Sequence, residues 1–406
     1  MDLKSLIDRK SAAADYMLKE ITHICKNLPK RDPGSKGEKL SCEYMAKVLK
    51  DDCGCERADV ESFKENPGSF YGWIYITVTC MLIALVTFFL NLAWVSLILI
   101  VFGLTLAVLQ FGLYIKAVDF LFPEKTGHNV TAVKKCTGEV KRRIFFNGHP
   151  DAAWEWPVNY KLGGVGFESH AIIGFVGAFY YLGLSIAKVA GGNPDVLKKC
   201  ALWGLIFLPF WLGLYFMWNK HIVVDGANDN LSGCYMGIAI LKELHDQGIT
   251  LENTEVGVIL SGSEEAGLRG AKAWAAAHKG EFDDVPTVIV SYDTIHDPKY
   301  LMVNYRDLNA TVKTDKAASD LMMQAAKDLD IHILKGMVPP MGGATDPAAF
   351  AQAGYRATSI TGLNHKLEDY YHTRKDTYTN MNLQGLADCY AVSVRALEKF
   401  DDGALD

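Results

Sequence analysis

Four long runs of apolar residues, nearly free of charge, constrain this chain before any other feature does. They cover residues 71–90, about 93–115, about 171–189 and about 202–218. At a rise of 1.5 Å per residue, each helix would cross about 30 Å of hydrocarbon. A turn near Asn91 divides the first pair, and the polar stretch Gly191-Gly-Asn-Pro-Asp195 divides the second. Each pair therefore reads as a helical hairpin that enters and leaves a bilayer. Trp73, Trp94, Trp203 and Trp218 fall near the segment ends, where amphipathic rings favour the interface. Gly174, Gly177 and Gly183 permit close helix approach in the third run, and Pro209 should bend the fourth. The alternative, fully buried core helices, is disfavoured because four such runs exceed what a soluble domain of this size would bury.

Two crossings per hairpin leave everything else on one side. Residues 1–70, 116–169 and 219–406 are expected to fold as one soluble domain, with 71–115 and 170–218 as the inserted hairpins. Lys64, Lys116 and Lys125 flank the first hairpin while its turn is uncharged, which favours a cytoplasmic domain on a multipass membrane protein. The second hairpin argues the other way through Lys188, Lys198 and Lys199 at its turn. Leading segments usually set orientation, so the first hairpin is given more weight. The opening 28 residues read as a charged amphipathic helix rather than a signal peptide.

A formal charge of −6 and the lack of any Lys/Arg block argue against nucleic acid as the partner. The nine cysteines are odd in number and scattered, which fits reduced thiols better than a disulfide framework. Cys53-Gly-Cys55 has neither the usual metal-clip spacing nor a nearby His, and is expected to pack a loop. No feature specifies an oligomeric state.

Outside the hairpins the chain alternates strand and helix patterns. Apolar runs at 143–147, 256–260 and 287–290 read as strands, and each is followed by a polar motif: His149-Pro150-Asp151, Ser263-Glu264-Glu265 and Ser291-Tyr292-Asp293. Two further motifs are Asn228-Asp229-Asn230, within Gly226–Gly233, and Tyr371-His372. Helices are expected after Asn230, ending near Gly248, and from Gly267 to His278. In an open α/β sheet, side chains just past the strand carboxyl ends converge on one crevice. The fold class is therefore α/β: a mixed, mostly parallel sheet flanked by helices, with four inserted transmembrane helices.

Clustered His, Asp and Glu without nearby Cys suit zinc or a similar borderline metal. Two imidazoles and three carboxylates are too many for one catalytic zinc; with one bridging carboxylate they divide as three per ion, the arrangement of a two-metal hydrolase. His149 can bind metal while Asp151 accepts its other N–H. In Glu264-Glu265 neighbouring side chains diverge, so one carboxylate can ligate while the other serves as general base.

Gly226-Ala-Asn-Asp-Asn-Leu-Ser-Gly233 and the run from Ser261-Gly-Ser-Glu-Glu265 to Trp274 closely resemble signatures of the co-catalytic dizinc exopeptidases of clan MH, the aminopeptidase and glutamate carboxypeptidase group. The similarity extends from Arg31-Asp-Pro-Gly-Ser-Lys-Gly-Glu38 to Gly342-Gly-Ala-Thr-Asp346 and Tyr371-His372, covering nearly the whole chain outside the hairpins. The resemblance implies two zinc ions, with His149 and Asp293 on separate ions and Asp229 bridging them. It also implies Glu265 and His372 as the remaining ligands, Glu264 as base, Asp151 as support, and Tyr371 as donor to the oxyanion. The Asp229–Asn230 peptide is expected to be cis. His296 and His365 are expected to be structural, and Asp346 stands near the pocket with its role open.

The expected activity is exopeptidase hydrolysis by a metal-bridging hydroxide, with Glu264 moving the proton. An aminopeptidase acting on short, apolar peptides at or near the bilayer is the first expectation. A carboxypeptidase or N-acyl amino acid amidase would need arginines in the pocket, for which Arg306, Arg356 and Arg374 are candidates. The full ligand set argues against a one-zinc glutaminyl cyclase, and the intact base against a non-enzymatic membrane scaffold. Soluble members of the family lack the hairpins, so substrate choice is where this chain departs from them.

Overall fold

A computed structural model describes residues 2–364 and 366–405; His365, expected to be structural, lies outside the described residues. Eight strands form one sheet: β1 (Arg57–Glu65), β2 (Lys125–Lys134), β3 (Arg142–Gly148), β4 (Thr254–Ser261), β5 (Thr287–Asp293), β6 (Met302–Asn304), β7 (Leu334–Gly336) and β8 (Arg356–Thr361). Their order is β1-β2-β4-β3-β5-β8-β6-β7. The centre, from β4 through β3 and β5 to β8, is parallel. β1 and β2 extend one side in antiparallel pairing, and β6 meets β8 antiparallel on the other. Every residue of β3 and β4 is buried, the pattern of strands covered on both faces by helices.

Helices Lys10–Asn27, Gly233–Asp246, Lys316–Asp328 and Leu383–Asp401 contribute to one hydrophobic layer. Arg269–Ala277 and Pro347–Gln352 contribute to another, around Trp274 and Phe350. The three expected strands are present. The third runs on to Asp293, so Ser291-Tyr292-Asp293 closes β5 instead of following it. The helix expected from Gly267 begins only at Arg269, because Leu268 is left-handed at φ +59°. Cys53 and Cys55 are buried, and Cys53 Sγ contacts the Ile238 carbonyl at 3.7 Å, as a loop-packing role requires. The nine cysteines are free thiols.

Among the described residues, four helices are long and apolar enough to cross a membrane: Ser69–Phe89, Ala93–Gly112, Pro157–Val189 and Pro194–Leu214. The first two form a hairpin around Asn91, whose φ is +65°. The third begins at Pro157, well before the expected start, and is kinked at Gly163, where φ is +70°. The fourth is broken between Gly204 and Leu208, just before Pro209. Their outer faces leave Ile98, Phe102, Phe179, Trp203 and Ile206 exposed. Contiguous apolar faces of that kind are not those of core helices. Trp94 and Trp203 are exposed, whereas Trp73 and Trp218 are buried at the helix ends nearer the sheet.

The first hairpin is tied to the sheet domain by polar contacts. Arg269 grips Asp119 with two bonds of 2.8 and 2.9 Å and reaches Ser69 Oγ at 3.1 Å. Lys272 Nζ donates to the Tyr114 carbonyl at 2.7 Å, and Asn309 Nδ2 to that of Phe111 at 2.9 Å.

Candidate metal centre

β3 lies between β4 and β5, with Asn147 opposite Ile259 on one side and Ser291 on the other. His149 and Asp293 stand two residues beyond the Asn147–Ser291 pair (149 − 147 and 293 − 291), so they emerge side by side from neighbouring strands. A Cβ on Gly148 would lie 2.4 Å from backbone atoms of Gly233 and Cys234. Only glycine lets the end of β3 abut the helix at Gly233, and this contact carries Asn228–Asn230 to the strand end. Gly226, at φ +59°, turns the chain into that loop, and the Asp229–Asn230 peptide is cis.

The motifs meet there. His149 Nε2 lies 3.4 Å from Asp229 Oδ1, 3.9 Å from Asp293 Oδ2 and 3.8 Å from Glu264 Oε2. His372 Nε2 lies 3.1 Å from Asp229 Oδ2 and 3.1 Å from Glu265 Oε1. Two sets of donor atoms result, His149–Asp229–Asp293 and Asp229–Glu265–His372, each within 4.8 Å, and they share Asp229. This corrects the expectation that His149 and Asp293 face different ions. Because β3 and β5 are paired neighbours, those two side chains fall in one set, while Glu265 and His372 close on Asp229 from the other side.

The donor chemistry fits divalent cations. His149 Nδ1 and Nε2, Asp229 Oδ2, Glu265 Oε1 and His372 Nδ1 are buried without a hydrogen-bond partner among the described residues, although several sit within 4 Å of one another. Unpartnered buried polar atoms are costly, and convergent nitrogen and oxygen donors suit zinc. Burial, reinforced by Asp229, pushes the Asp293 carboxyl up to about 8. Burial also raises Glu264 well above the usual range, with His149 opposing and Glu265 and Asp293 adding to it. Burial disfavours a charged His372, yet Glu265 and Asp229 overcome it and raise the ring to about 10. Such a concentration of acid is what a bound cation would neutralise.

Residues 216–397 match peptidase family M28. No curated protein matches the sequence. Among solved structures, the aminopeptidase from Aneurinibacillus sp. strain AM-1 is 13% identical, covering 97% of this chain and 95% of its own at a TM-score of 0.57. BSAP, a zinc aminopeptidase from Bacillus subtilis, is 12% identical over 95% of both chains at 0.56. An Acidobacteriales bacterium glutaminyl cyclase is 14% identical, covering 97% of this chain and 95% of its own at 0.54. These likenesses establish the fold, a zinc-aminopeptidase-type α/β sheet. The matched M28 segment holds Asp229, Glu264, Glu265, Asp293 and His372, while His149 and Asp151 precede it and reach the same point through β3.

Around this cluster, buried carboxylates hold the backbone. Asp151 accepts from the amides of Glu264 and Glu265 at 3.1 and 3.0 Å, and its Oδ1 stands 3.3 Å from His149 Nδ1 without hydrogen-bond alignment. The expected hydrogen bond from His149 to Asp151 is therefore not made, because both Asp151 oxygens are turned to the Glu264 and Glu265 amides. Tyr371 stacks on His372 at 4.0 Å, and burial with the carboxylates of Asp229, Glu265 and Asp293 pushes its phenol well up. Asp346 accepts from Ser261 Oγ at 2.5 Å. His296 is structural: its Nδ1 accepts from the Asn382 amide at 3.0 Å.

Three residues escaped the sequence. Asp376 accepts from the amides of Asn228 and Asp229 at 2.8 and 3.0 Å; its only signal was an acid four positions after His372. Arg31 ties the Pro150 carbonyl, at 2.7 Å, to those of Asp225 and Gly226 at 2.7 and 3.0 Å. It opens the Arg31–Glu38 motif, whose sequence alone assigns it no role. Trp156 donates its amide to the His372 carbonyl at 2.8 Å. Ser263, Leu268, Thr294 and His372 all have φ between +51° and +59°. Left-handed non-glycine residues cost about 1–3 kcal/mol each and gather where a site demands them.

Proposed function

We propose that this protein is a membrane-anchored metallo-aminopeptidase using two zinc ions, one on His149, Asp229 and Asp293 and the other on Asp229, Glu265 and His372. The observation that carries this reading is the shared Asp229 carboxylate, with Glu264 standing 3.8 Å from His149 beside it. Ions held there would polarise the scissile carbonyl and lower the pKa of the attacking water. Glu264 takes the proton from that water through Oε2 and passes it to the leaving amine nitrogen. Tyr371 donates its O–H to the carbonyl oxygen as negative charge develops there. Asp151 keeps Glu264 and Glu265 pointed inward by holding their amides.

The arginines favour an amino-terminal rather than carboxyl-terminal substrate end. Arg374 is paired with Glu155 at 2.6 and 2.7 Å, Arg356 with Asp315 at 3.2 Å, and Arg306 donates to the Ala310 carbonyl at 3.2 Å. All three are committed elsewhere. The apolar outer faces of the four long helices support hairpins set in a bilayer, with the M28 domain on the cytoplasmic side by the charge around the first hairpin. Short apolar peptides leaving the membrane are the natural substrates of such a placement.

The deciding experiment measures free amino acid release from amino-blocked and unblocked apolar dipeptides, with and without a chelator. Release from unblocked substrates alone, lost on chelation and restored by zinc, is expected. Release from blocked substrates would instead indicate an amidase or carboxypeptidase. Cyclisation of amino-terminal glutamine without hydrolysis would indicate a cyclase.

A further inference from the structure

The two donor sets are braced differently. Behind His149 stands the Asp151 carboxylate, 3.3 Å from Nδ1. Neither Nδ1 makes a hydrogen bond among the described residues, but His149 has that carboxylate within 4 Å of it, and His372 Nδ1 has no such carboxylate contact among the described residues. Metal-binding histidines almost always have their second nitrogen held by a carboxylate, carbonyl or water. Without that bond the imidazole is free about χ2, a broad torsion, unless packing stops it.

Two rings pack on His372: its chain neighbour Tyr371 stacks on it at 4.0 Å, and Trp156 approaches from another element. Trp156 meets the His372 ring edge-to-face, with centroids 4.2 Å apart and planes at 71°. Its amide donates to the His372 carbonyl at 2.8 Å, fixing a backbone held at φ +51°. Trp156 is in turn set by both hairpins. Its face stacks on Phe167, in the long third helix, at 4.4 Å and 6°. Its indole N–H donates to Tyr71 Oη, in the first turn of the first helix, at 3.3 Å. Tyr71 is buried and stacks on Trp218, just beyond the fourth helix, at 5.1 Å. The catalytic-side ends of both hairpins therefore converge on Trp156, the ring that meets His372 edge-to-face.

We propose that Trp156 is the positioning residue for His372, and that through Tyr71 and Phe167 the two hairpins set how tightly the Asp229–Glu265–His372 donors hold their ion. This rests on the two-ion reading above. Ligand atoms must be held to about 0.5 Å to bind well, so loosening one imidazole weakens one ion and spares the other. The first set, with Asp151 behind His149, has no contact with Trp156 of this kind. The membrane insertion thus does more than anchor: through Trp156 it packs against a histidine that has no carboxylate beside its Nδ1 among the described residues.

The test is calorimetric titration of zinc into the chelator-stripped full chain in lipid nanodiscs. The wild type should take up two ions in separable steps. Trp156→Ala should weaken one step by about 10–100-fold, the usual effect of losing support behind a ligand, and leave the other within about 2-fold. Phe167→Ala, which leaves the Trp156–His372 contact in place, should weaken the same step by a smaller factor. General loss of structure would weaken both steps together, and that result, or two unchanged steps, overturns the proposal. Should Trp156→Ala fail to fold, Phe167→Ala decides alone by the same criterion. A wild type that binds fewer than two ions overturns the functional reading itself.

Discussion

Asp376 holds Asp229 by its backbone: one carboxylate oxygen accepts the Asp229 amide at 3.0 Å and the other accepts the Asn228 amide at 2.8 Å. Asp151 does the same for Glu264 and Glu265 on the far side of the cluster. Two buried acids, neither of them a donor to the proposed ions, therefore fix the residues around the shared carboxylate. Replacing either with Asn puts an amide NH2 where an acceptor stood and orphans a buried backbone N–H, a loss of about 1–3 kcal/mol. Because Asp229 belongs to both donor sets, Asp376→Asn should weaken both zinc steps and lower kcat/KM by about 10–100-fold. Zinc titration with dipeptide kinetics checks this; an unchanged affinity for both ions would refute it.

Glu264 is proposed to move protons and not to bind an ion. Glu264→Gln should therefore keep two zinc ions and the wild-type unfolding midpoint while kcat falls by about 10²–10⁴, the usual worth of a positioned acid–base group. Asp229→Asn should instead lose metal from both steps. Turnover in Glu264→Gln within a few-fold of wild type would remove the residue from the mechanism.

Much of this arrangement was legible because it rests on local pattern. β3, β4 and β5 are continuous apolar runs ending in polar motifs, and the four long apolar helices stand out by length. Partnership across the chain was less accessible. His149 and Asp293 share a donor set because β3 and β5 happen to be neighbours in register, which spacing along the chain does not encode. Asp376 works only because the loop from His372 folds back over Asn228. The early start of the third long apolar helix was hidden by Lys161 and Glu168, which lower the apolar density around the Gly163 kink.

Glu65 offers a pH-dependent stability difference. Burial, with Asp151 adding and the Ser263 hydroxyl opposing, pushes its carboxyl up to about 7. The folded state thus keeps a proton that the unfolded chain releases near pH 4.3. Since the native state binds more protons between those values, stability falls as pH rises through that window. Glu65→Gln, which keeps an acceptor for Ser263 Oγ, removes the effect. The variant should match the wild type near pH 4 and exceed it by about 1–3 kcal/mol at pH 8. Unfolding midpoints from pH 4 to 8 provide the comparison, and a variant that tracks the wild type at every pH would show that Glu65 ionises normally.

Arg269 is only 3% exposed, and its charge is met by Asp119 at 2.8 and 2.9 Å. Asp119→Ala leaves the guanidinium buried and uncompensated, a change that typically destabilises by about 3–5 kcal/mol. The loss should exceed that of Asp119→Ala combined with Arg269→Met, because the second change removes the stranded charge while roughly keeping its volume. Arg269 also donates its Nε to the Ala266 carbonyl at 2.8 Å and its amide to that of Ser263 at 3.1 Å, on either side of Glu264 and Glu265. Damage at the base of the hairpin should therefore reach the catalytic turn, and dipeptide turnover should fall in step with thermal stability. If Asp119→Ala lowers the unfolding midpoint while leaving turnover at low temperature intact, the hairpin base stabilises the fold without shaping the site.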